Sequence, residues 1–360
     1  MTAPRVDVVI AVHSVTRPIE RAVASVLDAS PSGRSRALVV AHGLSADDIA
    51  SRLPDAPGDR VVVWGFDDGI RSPAGPFNAG LARADAEFVA VMGSDDTLQP
   101  GAIDAALRRA REDAADVVIL PLRSAGGVLV RAPLPRRGRT RRLDAVRDRL
   151  FTRTAPLAVM RRELVTGLAP VFDPAYRTGE DLEFGARLWS ASQPSYHPAD
   201  PGYVVGADAV DRVTAATTDL VTVLAAPRAL ATRSWVEELS PRERRALAIK
   251  VLRVHVLGAV QLRAADPTPI APDEAEALTA TVRGWLGLAP RALAPFSRAD
   301  RAALEAIRER PGDLADIAAA RARASRAARL LPRNPLRVLD GESTVRRYLL
   351  YRTAGEGASS

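Results

Sequence analysis

Two adjacent carboxylates, Asp95 and Asp96, follow closely after an apolar run at residues 87–92. Like charges repel one another and burial of a charge is costly, so such a pair needs a compensating charge. A divalent cation such as Mg²⁺ or Mn²⁺, together with a diphosphate, would supply it, because hard cations prefer oxygen ligands. The alternative is a solvated turn in which Asp96 or Thr97 caps the following helix.

A second acidic motif, Gly-Glu-Asp at 179–181, precedes the sequence LEFGARLW. Thr178 and Asp181 have the spacing of a capping box, in which a Ser or Thr is followed three residues later by an acid. Acids are favoured in the first turn of a helix, and the helix dipole there keeps a carboxylate ionised. Ionisation is also the state that a general base requires, so the structural and chemical interpretations are compatible.

Alternating strands and helices would position these acids. Apolar runs predict strands at 6–12, 37–41, 60–66, 87–92 and 116–121. Helices are predicted near 45–53, 76–85 and 100–114, and after the first strand, where Thr16 can cap and Pro18 suits the first turn. This alternation predicts an α/β fold with a mostly parallel sheet flanked by helices. Ligands of such sheets bind beyond the carboxyl ends of the strands, where Asp95 is expected.

The composition limits the function classes. The chain has 360 residues, of which 47% are apolar and 26% are charged, enough for a sizeable core and two domains. It has no cysteine, which excludes disulfides and thiolate metal sites and fits a cytoplasmic location. No signal peptide is recognised, and the apolar stretch at 251–262 is shorter than the roughly 20 residues of a membrane span. The net charge of +7 suits phosphate-rich partners, although Ala/Arg-rich sequences carry it commonly. No nucleic-acid partner is predicted.

Four motifs occur in an order that is typical of a known family. They are VDVVIAVHSVTRPIERAVASVL from residue 6, NAGLARADAEFV from residue 78, SDD at 94–96 and GED at 179–181. In this order they resemble the family 2 glycosyltransferases of GT-A fold, over about residues 5–215. The resemblance implies inverting transfer of a sugar from a nucleotide sugar, UDP-linked in most relatives, to a hydroxyl acceptor. It also implies bacterial cell-envelope or surface polysaccharide synthesis, with a glycan, a polyol-phosphate polymer or a lipid-linked acceptor.

The resemblance carries roles over to the two acidic motifs. Asp95 corresponds to the metal ligand and Asp96 to the second acidic contact, together holding Mn²⁺ or Mg²⁺ and the diphosphate of the donor. Asp181 corresponds to the catalytic base, and Glu180 to an acceptor contact or a support. Relatives often carry a further Asp where this chain has Gly93, which puts the ribose contact in doubt.

Other donor-binding positions depart from the family pattern. Many relatives carry acids that read the base after the second strand, where this chain has Ala41 and His42. Asp67 or Asp68 could compensate and Arg71 could face the diphosphate, or all three simply belong to a polar loop. His13, after the first strand, is a further candidate for donor binding. Asn78 is another, although it could instead form a hydrogen bond at a helix start. Arg212 is the last candidate and lies either in a closing basic segment or in a plain loop. The four histidines show no metal-ligand spacing and could all be structural or exposed.

Two other function classes stay open. A nucleotidyltransferase should carry a basic, Gly-rich loop after the first strand, whereas AVHSVTRP has one Arg and no Gly. A non-catalytic module that binds nucleotide sugars or polyanions would explain the missing acids at positions 41 and 93. The chain lacks a Gly-x-Ser-x-Gly nucleophile turn, a Gly-x4-Gly-Lys-Ser/Thr phosphate loop and a dinucleotide Gly-x-Gly-x-x-Gly motif.

The domains follow from these patterns. We predict a glycosyltransferase domain at 1–215, with a donor half at about 1–125 and an acceptor half at 126–215 that opens with a basic loop. A helical C-terminal domain at 216–352 is expected to serve acceptor binding, homo-oligomerisation or membrane contact, and 353–360 to form a disordered tail. Its segment 319–337, with six arginines and no acid, predicts a basic amphipathic helix that lies on an anionic membrane, binds an anionic polymer, or packs on the protein.

Overall fold

The structure is a computed structural model that describes residues 5–53, 58–169, 171–207, 219–266, 268–309 and 314–353. The chain divides into two compact units. The first contains Met1–Asp144 and Arg153–Arg212, and the second contains Ala145–Thr152 and Val213–Ser360. The end of the segment that the sequence assigns to a basic loop therefore belongs to the second unit. The sequence-based domain limits stay a prediction.

The first unit is an α/β structure. Its strands are β1 (Val6–Val12), β2 (Ser35–His42), β3 (Val61–Phe66), β4 (Phe88–Gly93), β5 (Thr97–Leu98), β6 (Val117–Ile119), β7 (Leu122–Ser124), β8 (Leu129–Val130), β9 (Ala158–Arg161), β10 (Ser195–Tyr196) and β11 (Tyr203–Val205). Its helices are α1 (Ile19–Asp28), α2 (Ala46–Ala50), α3 (Ala74–Arg83), α4 (Ala102–Glu112), α5 (Arg162–Gly167) and α6 (Leu182–Ala191), with a 3₁₀ turn at Gly58–Arg60.

Among the described residues, seven strands form the main sheet in the order β10, β6, β9, β4, β1, β2 and β3. The pairs of β1 with β2 and β4, of β2 with β3, and of β6 with β10 are parallel, whereas β9 is antiparallel to its neighbours. The predicted mostly parallel sheet is confirmed. β1, β2 and β4 are mainly apolar and rich in Val and Ala, and they are buried along nearly their whole length, as strands with both faces covered must be.

The strand order contains a topological switch point. From β1 the chain moves outward through β2 and β3 on one side, and then returns to place β4 on the other side of β1. The connections that leave β1 and β4 therefore diverge and open a crevice at their carboxyl ends, which is where open α/β sheets bind ligands. Gly80 brings α3 against this sheet, since a Cβ there would lie 2.2 Å from Cγ1 of Val9 on β1.

Helix starts differ from two expectations. α1 begins at Ile19, Pro18 occupies the preceding position, and no side chain caps the helix, so the cap predicted for Thr16 is wrong. α4 begins at Ala102 after Gly101, whose φ of 75° requires the left-handed region that glycine tolerates. Thr97 instead lies in β5, which pairs with β11 in a small second sheet of order β5, β11, β7 and β8. The solvated-cap alternative for Asp96 and Thr97 is therefore also wrong.

The second unit is helical, as predicted for the C-terminal part of the chain. It contains α7 (Leu220–Leu230), α8 (Ser234–Glu238), α9 (Pro241–Lys250), a π-helical turn (Val251–Val256), α10 (Leu257–Arg263), α11 (Pro272–Leu288), α12 (Arg298–Glu309), α13 (Leu314–Arg323), α14 (Arg326–Leu330) and α15 (Thr344–Thr353), with 3₁₀ turns at Leu150–Thr152 and Pro335–Leu339. Trp285 of α11 is fully buried, and its Nε1 donates to the carbonyl oxygen of Pro227 at 2.9 Å.

The Arg-rich segment 319–337 is not one helix. α13 ends at Arg323, and Ser325 caps the short α14 by accepting a hydrogen bond from the Ala328 N–H at 3.2 Å. The prediction of a continuous amphipathic helix is therefore wrong, because the cap starts a new helix within the segment. Within the described part of the chain, no helix combines the length and the apolar character needed to cross a bilayer. The predicted disordered tail lies outside the described residues apart from Thr353.

Candidate active site

The acidic pair lies at the switch point, and Asp95 has a buried cationic partner there. Nη1 of Arg17, from the loop after β1, lies 2.9 Å from Oδ1 of Asp95, and the two side chains are 7% and 12% exposed. Nη2 of Arg21 on α1 donates to the backbone carbonyl of Asp95 at 3.0 Å. Residues that follow β1 and β4 thus meet through an ion pair across the carboxyl ends of both strands.

Asp96 is held by protein donors on both carboxylate oxygens. The Tyr203 hydroxyl of β11 donates to Oδ2 at 2.5 Å, and the Gly206 N–H donates to Oδ1 at 2.8 Å. The same hydroxyl accepts a hydrogen bond from the Gly93 N–H at 3.1 Å. Burial and the neighbouring charge of Asp96 raise the pKa of Tyr203 well above its usual value, so the phenol stays protonated and can donate. Asp96 therefore ties β11 to the end of β4.

Gly93 explains one departure from the family motif. A Cβ at this position would lie 2.6 Å from Oδ2 of Asp96 and 3.2 Å from Oδ1 of Asp95. The first distance is shorter than van der Waals contact allows, so any side chain would push the Asp96 carboxylate away from its donors. The absence of a side chain at position 93 therefore leaves room for the carboxylates of Asp95 and Asp96 beside it.

The predicted Mn²⁺ or Mg²⁺ site already contains a cationic side chain of the protein. A divalent cation at Asp95 would compete with the Arg17 guanidinium for the carboxylate, and Asp96 already accepts two hydrogen bonds. The described residues do contain another set of potential ligands, His42, Asp67 and Asp68, whose ligand atoms all lie within 4.8 Å of one another. Metal binding by Asp95 and Asp96 stays a prediction.

The ends of β2 and β3 bring His42 and Asp68 together. Nε2 of His42 lies 3.0 Å from Oδ1 of Asp68, which also accepts from the Ile70 N–H at 3.0 Å. Burial pushes the pKa of Asp68 upward, but the bonds from Ile70 and His42 outweigh it and leave this pKa below its usual value. A His–Asp pair thus occupies the place where relatives carry an acid, and the exposed Arg71 lies in the loop that follows.

Ala41 and Asn78 are both engaged within the protein, and their assignment to the donor site stays a prediction. Ala41 is fully buried in the core of the sheet. Nδ2 of Asn78 on α3 donates to the carbonyl oxygen of Phe172 at 2.8 Å, and its Oδ1 accepts from the Phe172 N–H at 3.1 Å. Both polar atoms of Asn78 are therefore engaged by the backbone of the segment that leads to Glu180.

The Gly-Glu-Asp motif forms the start of α6. Asp181 immediately precedes the first helical residue, Leu182, so the capping box predicted from Thr178 to Asp181 is not formed. Gly179 has a φ of +81°, in the left-handed region. Burial, followed by repulsion from Asp181, raises the pKa of Glu180 to about 7. One acid at this helix start thus changes protonation near neutral pH, a property common among catalytic acids and bases.

The motifs revealed some site residues and missed others. The remaining donor candidates include His13, which is exposed just after β1, and Arg212, which lies outside the described residues. Sequence reasoning missed Arg17 and Tyr203. Arg17 is the single arginine of the loop after β1, and its position after a strand that ends at the switch point could have indicated a site residue. Tyr203 is followed by two valines in a short apolar run. Such a run does not show whether the tyrosine belongs to a site or to the core.

Comparison with known proteins gives a family match for part of the chain. The sequence pattern of the family described as glycosyl transferase family 2 matches residues 7–168, which include β1, the switch point and the acidic pair. This part of the chain is similar to glycosyl transferase family 2. The chain is also 31% identical over 116 residues to the succinoglycan biosynthesis protein ExoO of Rhizobium meliloti (strain 1021), a match that covers 32% of this chain and 32% of ExoO. The match thus spans about a third of that relative.

Solved structures show a similar fold. A crystal structure of S. aureus TarS 1-349 in complex with UDP-GlcNAc superposes with a TM-score of 0.68 and 15% identity, covering 88% of this chain and 90% of TarS 1-349. The complex of TarS 1-349 with UDP gives a TM-score of 0.65, with the same identity and coverage. This likeness confirms the predicted GT-A fold with a helical C-terminal region.

Proposed function

We propose that this protein is an inverting glycosyltransferase that moves a sugar from a UDP-sugar to a hydroxyl acceptor. The observation that carries the proposal is the position of Asp95 and Asp96, at the carboxyl end of β4 and beside the switch point, within the family 2 segment. The setting we propose is synthesis of a bacterial cell-envelope or surface polysaccharide in the cytoplasm, with peripheral contact to the membrane.

The donor is proposed to lie across the carboxyl ends of β1 to β4. His42 and Asp68 provide hydrogen-bonding groups at the β2 and β3 ends for the base, and Arg71 is an exposed cation in the adjoining loop. The Arg17 guanidinium is a cation at the β1 end, suited to a diphosphate. Support for a nucleotide sugar comes from the similar fold of TarS, whose crystal structures contain UDP-GlcNAc and UDP.

Asp181 is proposed as the general base. Inversion requires that an acceptor hydroxyl attack the anomeric carbon on the side opposite the leaving diphosphate while a carboxylate takes the hydroxyl proton. Asp181 has a helix N-terminus behind it, which favours the ionised form that accepts the proton. Glu180, with its pKa near 7, is placed as an acceptor contact or a support. No step is assigned to Mn²⁺ or Mg²⁺, which enters the proposal only as a competitor of Arg17 for Asp95.

The acceptor is proposed to be a glycan, a polyol-phosphate polymer or a lipid-linked saccharide. The name of ExoO, a succinoglycan biosynthesis protein, supports a polysaccharide product. Homo-oligomerisation through the helices of the second unit is part of the same proposal, whereas no nucleic-acid partner is proposed.

A donor panel tests the proposal. The full chain is incubated with UDP-, GDP- and dTDP-sugars, with and without Mn²⁺, while thermal stability and release of free nucleotide are measured. We expect one class of UDP-sugar to raise the melting temperature and to be hydrolysed slowly to UDP. If donors stabilise the protein but are never turned over with any acceptor, a non-catalytic binding module is the better description. Pyrophosphate release from a nucleoside triphosphate and a sugar phosphate would instead indicate a nucleotidyltransferase.

A further inference from the structure

The acids of the Gly-Glu-Asp motif end a loop that folds back on itself. This acid loop comprises residues 172–181 and leads into α6. The Asp173 N–H donates to the carbonyl oxygen of Glu180 at 3.0 Å, so the two ends of the loop are joined. Because the ends are joined, the position of Phe172 largely determines where Glu180 and Asp181 lie.

Asn78 on α3 binds the first residue of the acid loop through two hydrogen bonds. Its Nδ2 donates to the carbonyl oxygen of Phe172 at 2.8 Å, and its Oδ1 accepts from the N–H of the same residue at 3.1 Å. A single hydrogen bond would allow the peptide to rotate about it, whereas two bonds from one planar amide fix both the distance and the orientation of Phe172. Asn78 therefore acts on the backbone of the loop.

The ring of Phe172 is contacted by both neighbouring helices. Phe172 is 3% exposed, and its ring centroid lies 5.3 Å from that of Phe77 on α3 and 6.1 Å from that of Phe184 on α6. Tilted aromatic rings attract one another at these separations. A second attachment lies just before α3, where the Ser72 hydroxyl donates to the carbonyl oxygen of Tyr176 at 3.4 Å. The acid loop is thus attached to α3 and to the residues that precede it.

The two helices are themselves fixed within the first unit. α3 lies against β1, as described above. On α6, a Cβ at Gly185 would lie 2.6 Å from the carbonyl oxygen of Thr154, and Nε1 of Trp189 donates to the carbonyl oxygen of Arg153 at 2.8 Å. The acid loop between the helices contains no helical or strand residue. Its place therefore depends on side-chain contacts of the kind that Asn78 makes.

From this geometry we propose that Asn78 is a positioning residue, which holds Asp181 and Glu180 in place through the backbone of Phe172. The role of Asp181 as the base rests on the function proposed above, but the attachment of the loop does not. A general base must lie within hydrogen-bond distance of the proton that it takes, and a displacement of about 1 Å can lower the rate about 10²-fold. Burial raises the pKa of Glu180 to about 7, and this burial requires the loop to stay in place. Asn78 thus acts without touching the donor, in contrast to the donor contact predicted from the sequence.

Hydrogen exchange on the full chain tests the attachment of the loop. We expect the amides of residues 172–182 to exchange about tenfold or more faster in Asn78→Ala than in wild type, because two hydrogen bonds of the loop are lost. Exchange in β1 and β4 should be as in wild type. The matched control is Ser35→Ala, which removes a buried hydroxyl that donates to the carbonyl oxygen of Val26 at 2.8 Å, at the amino end of β2. This control should leave exchange in the acid loop unchanged.

UDP binding and turnover test the role of Asn78 in the proposed reaction. With the UDP-sugar selected by the donor panel, we expect Asn78→Ala to bind UDP as wild type does and to turn the donor over about 10²-fold more slowly at saturation. Ser35→Ala, a structural loss elsewhere, should keep wild-type turnover per folded molecule. Asn78→Asp keeps the oxygen that accepts from the Phe172 N–H but loses the donor, so its effects should be intermediate. It replaces Asn78→Ala in both measurements if the latter does not fold.

Two outcomes overturn the proposal. In the first, exchange in the acid loop is the same in Asn78→Ala and in wild type, which would show that Asn78 does not hold the loop. In the second, Asn78→Ala weakens UDP binding but keeps wild-type turnover at saturation, which would make Asn78 a donor contact. If the wild type neither binds nor turns over any UDP-sugar, the proposed function fails, and the exchange measurement alone decides whether Asn78 positions the loop.

Discussion

Two regions of this molecule bury charge, and they balance it differently. At the acidic edge of the first unit, Arg17 meets Asp95 in a buried ion pair, and Asp96 accepts hydrogen bonds on both oxygens. The second unit contains a basic recess lined by Arg149, Lys250, Arg253, Arg347 and Glu342, where three guanidinium groups share the carboxylate of Glu342. Asp95 of the acidic edge thus has a guanidinium beside it, whereas in the basic recess one carboxylate is shared among several cations.

This difference teaches which ligands each region can accept. A cation that approaches the acidic edge must compete with the Arg17 guanidinium, which already lies beside Asp95. This ion pair already compensates part of the cost of burying the Asp95 carboxylate. In the basic recess, several cations instead share one carboxylate, and burial followed by repulsion from Arg347 lowers the pKa of Arg253 to about 10. Whether a site favours a further ion therefore depends on how far the contacting charges already neutralise one another, and not on how many charged residues it contains.

The largest expected effect tests whether the first unit performs chemistry at all. Asp181→Asn keeps the size of the side chain but cannot accept a proton, so turnover should fall by about 10² to 10⁴ while donor affinity stays near that of wild type. Steady-state kinetics with an identified acceptor, together with calorimetry for the donor, measure both. Glu183→Gln, which removes the same charge from the first turn of α6, is the control. Unchanged turnover in Asp181→Asn would move the base to Glu180.

The second prediction breaks the balance at the acidic edge. Arg17→Gln removes the guanidinium that pairs with the buried Asp95 carboxylate and should lower the free energy of unfolding by about 3 kcal/mol. The double variant Arg17→Gln with Asp95→Asn should recover most of this loss, because both charges of the pair are then removed. Urea denaturation of the wild type, the two single variants and the double variant gives the coupling energy of the pair.

Mn²⁺ extends the same series to the predicted metal site. If Asp95 is a metal ligand, Mn²⁺ should raise the melting temperature of Arg17→Gln more than that of wild type, and it should leave the double variant unchanged. Equal Mn²⁺ responses in all of these proteins would show that the metal, where it binds, does not use Asp95. The set of His42, Asp67 and Asp68 would then be the next candidate.

The strands and the acidic edge could be predicted because they depend on local patterns. Runs of Val, Ile and Ala fix β1 and β4 within a few residues, and an acid at a strand end needs no long-range information. The ion pair of Arg17 with Asp95 joins two loops that are adjacent only because β1 and β4 pair. The sequence also does not show that the side chain of Ala41 is fully buried in the core.

The basic recess could not be predicted, because its residues come from three distant parts of the sequence. Arg149 follows a segment that reads as a basic loop, Arg253 interrupts an apolar stretch, and Arg347 lies near the C-terminal end. In the sequence, the same arginines are indistinguishable from solvated ones. Only folding decides which arginines are buried, and helix propensity also could not show that Ser325 would start a new helix in the Arg-rich segment.

A smaller effect concerns how stability depends on pH. The pKa of Glu180 is about 7 in the folded protein against an ordinary 4.5, so the folded state retains this proton when the unfolded chain has lost it. Its contribution to stability is therefore complete below about pH 4.5 and is lost as the pH rises to about 7, by roughly 1 to 3 kcal/mol.

Urea denaturation at about pH 4 and at about pH 8 measures this loss. Glu180→Gln should remove the dependence, so that the variant gains stability over wild type only at the higher pH. Asp173→Asn, a partly exposed acid in the same segment, is the control. A stability difference between Glu180→Gln and wild type that does not change with pH would show that Glu180 titrates normally.

The smallest effect contrasts the buried cations of the basic recess with exposed ones. Arg326 and Arg329 of α14 are exposed, and exposed arginines near an anionic bilayer contribute about 1 kcal/mol each, which salt screens. Arg326→Gln with Arg329→Gln should therefore reduce sedimentation with phosphatidylglycerol vesicles several-fold at low salt, and high salt should reduce wild-type sedimentation in the same way.

The matched control is Arg108→Gln with Arg111→Gln, which removes two exposed arginines of the same spacing from α4, where Glu112 lies 3.9 Å from Arg108. Equal losses in both double variants would mean that only net charge matters. A wild-type protein that stays in the supernatant at low salt would show that the membrane contact predicted for this segment is wrong.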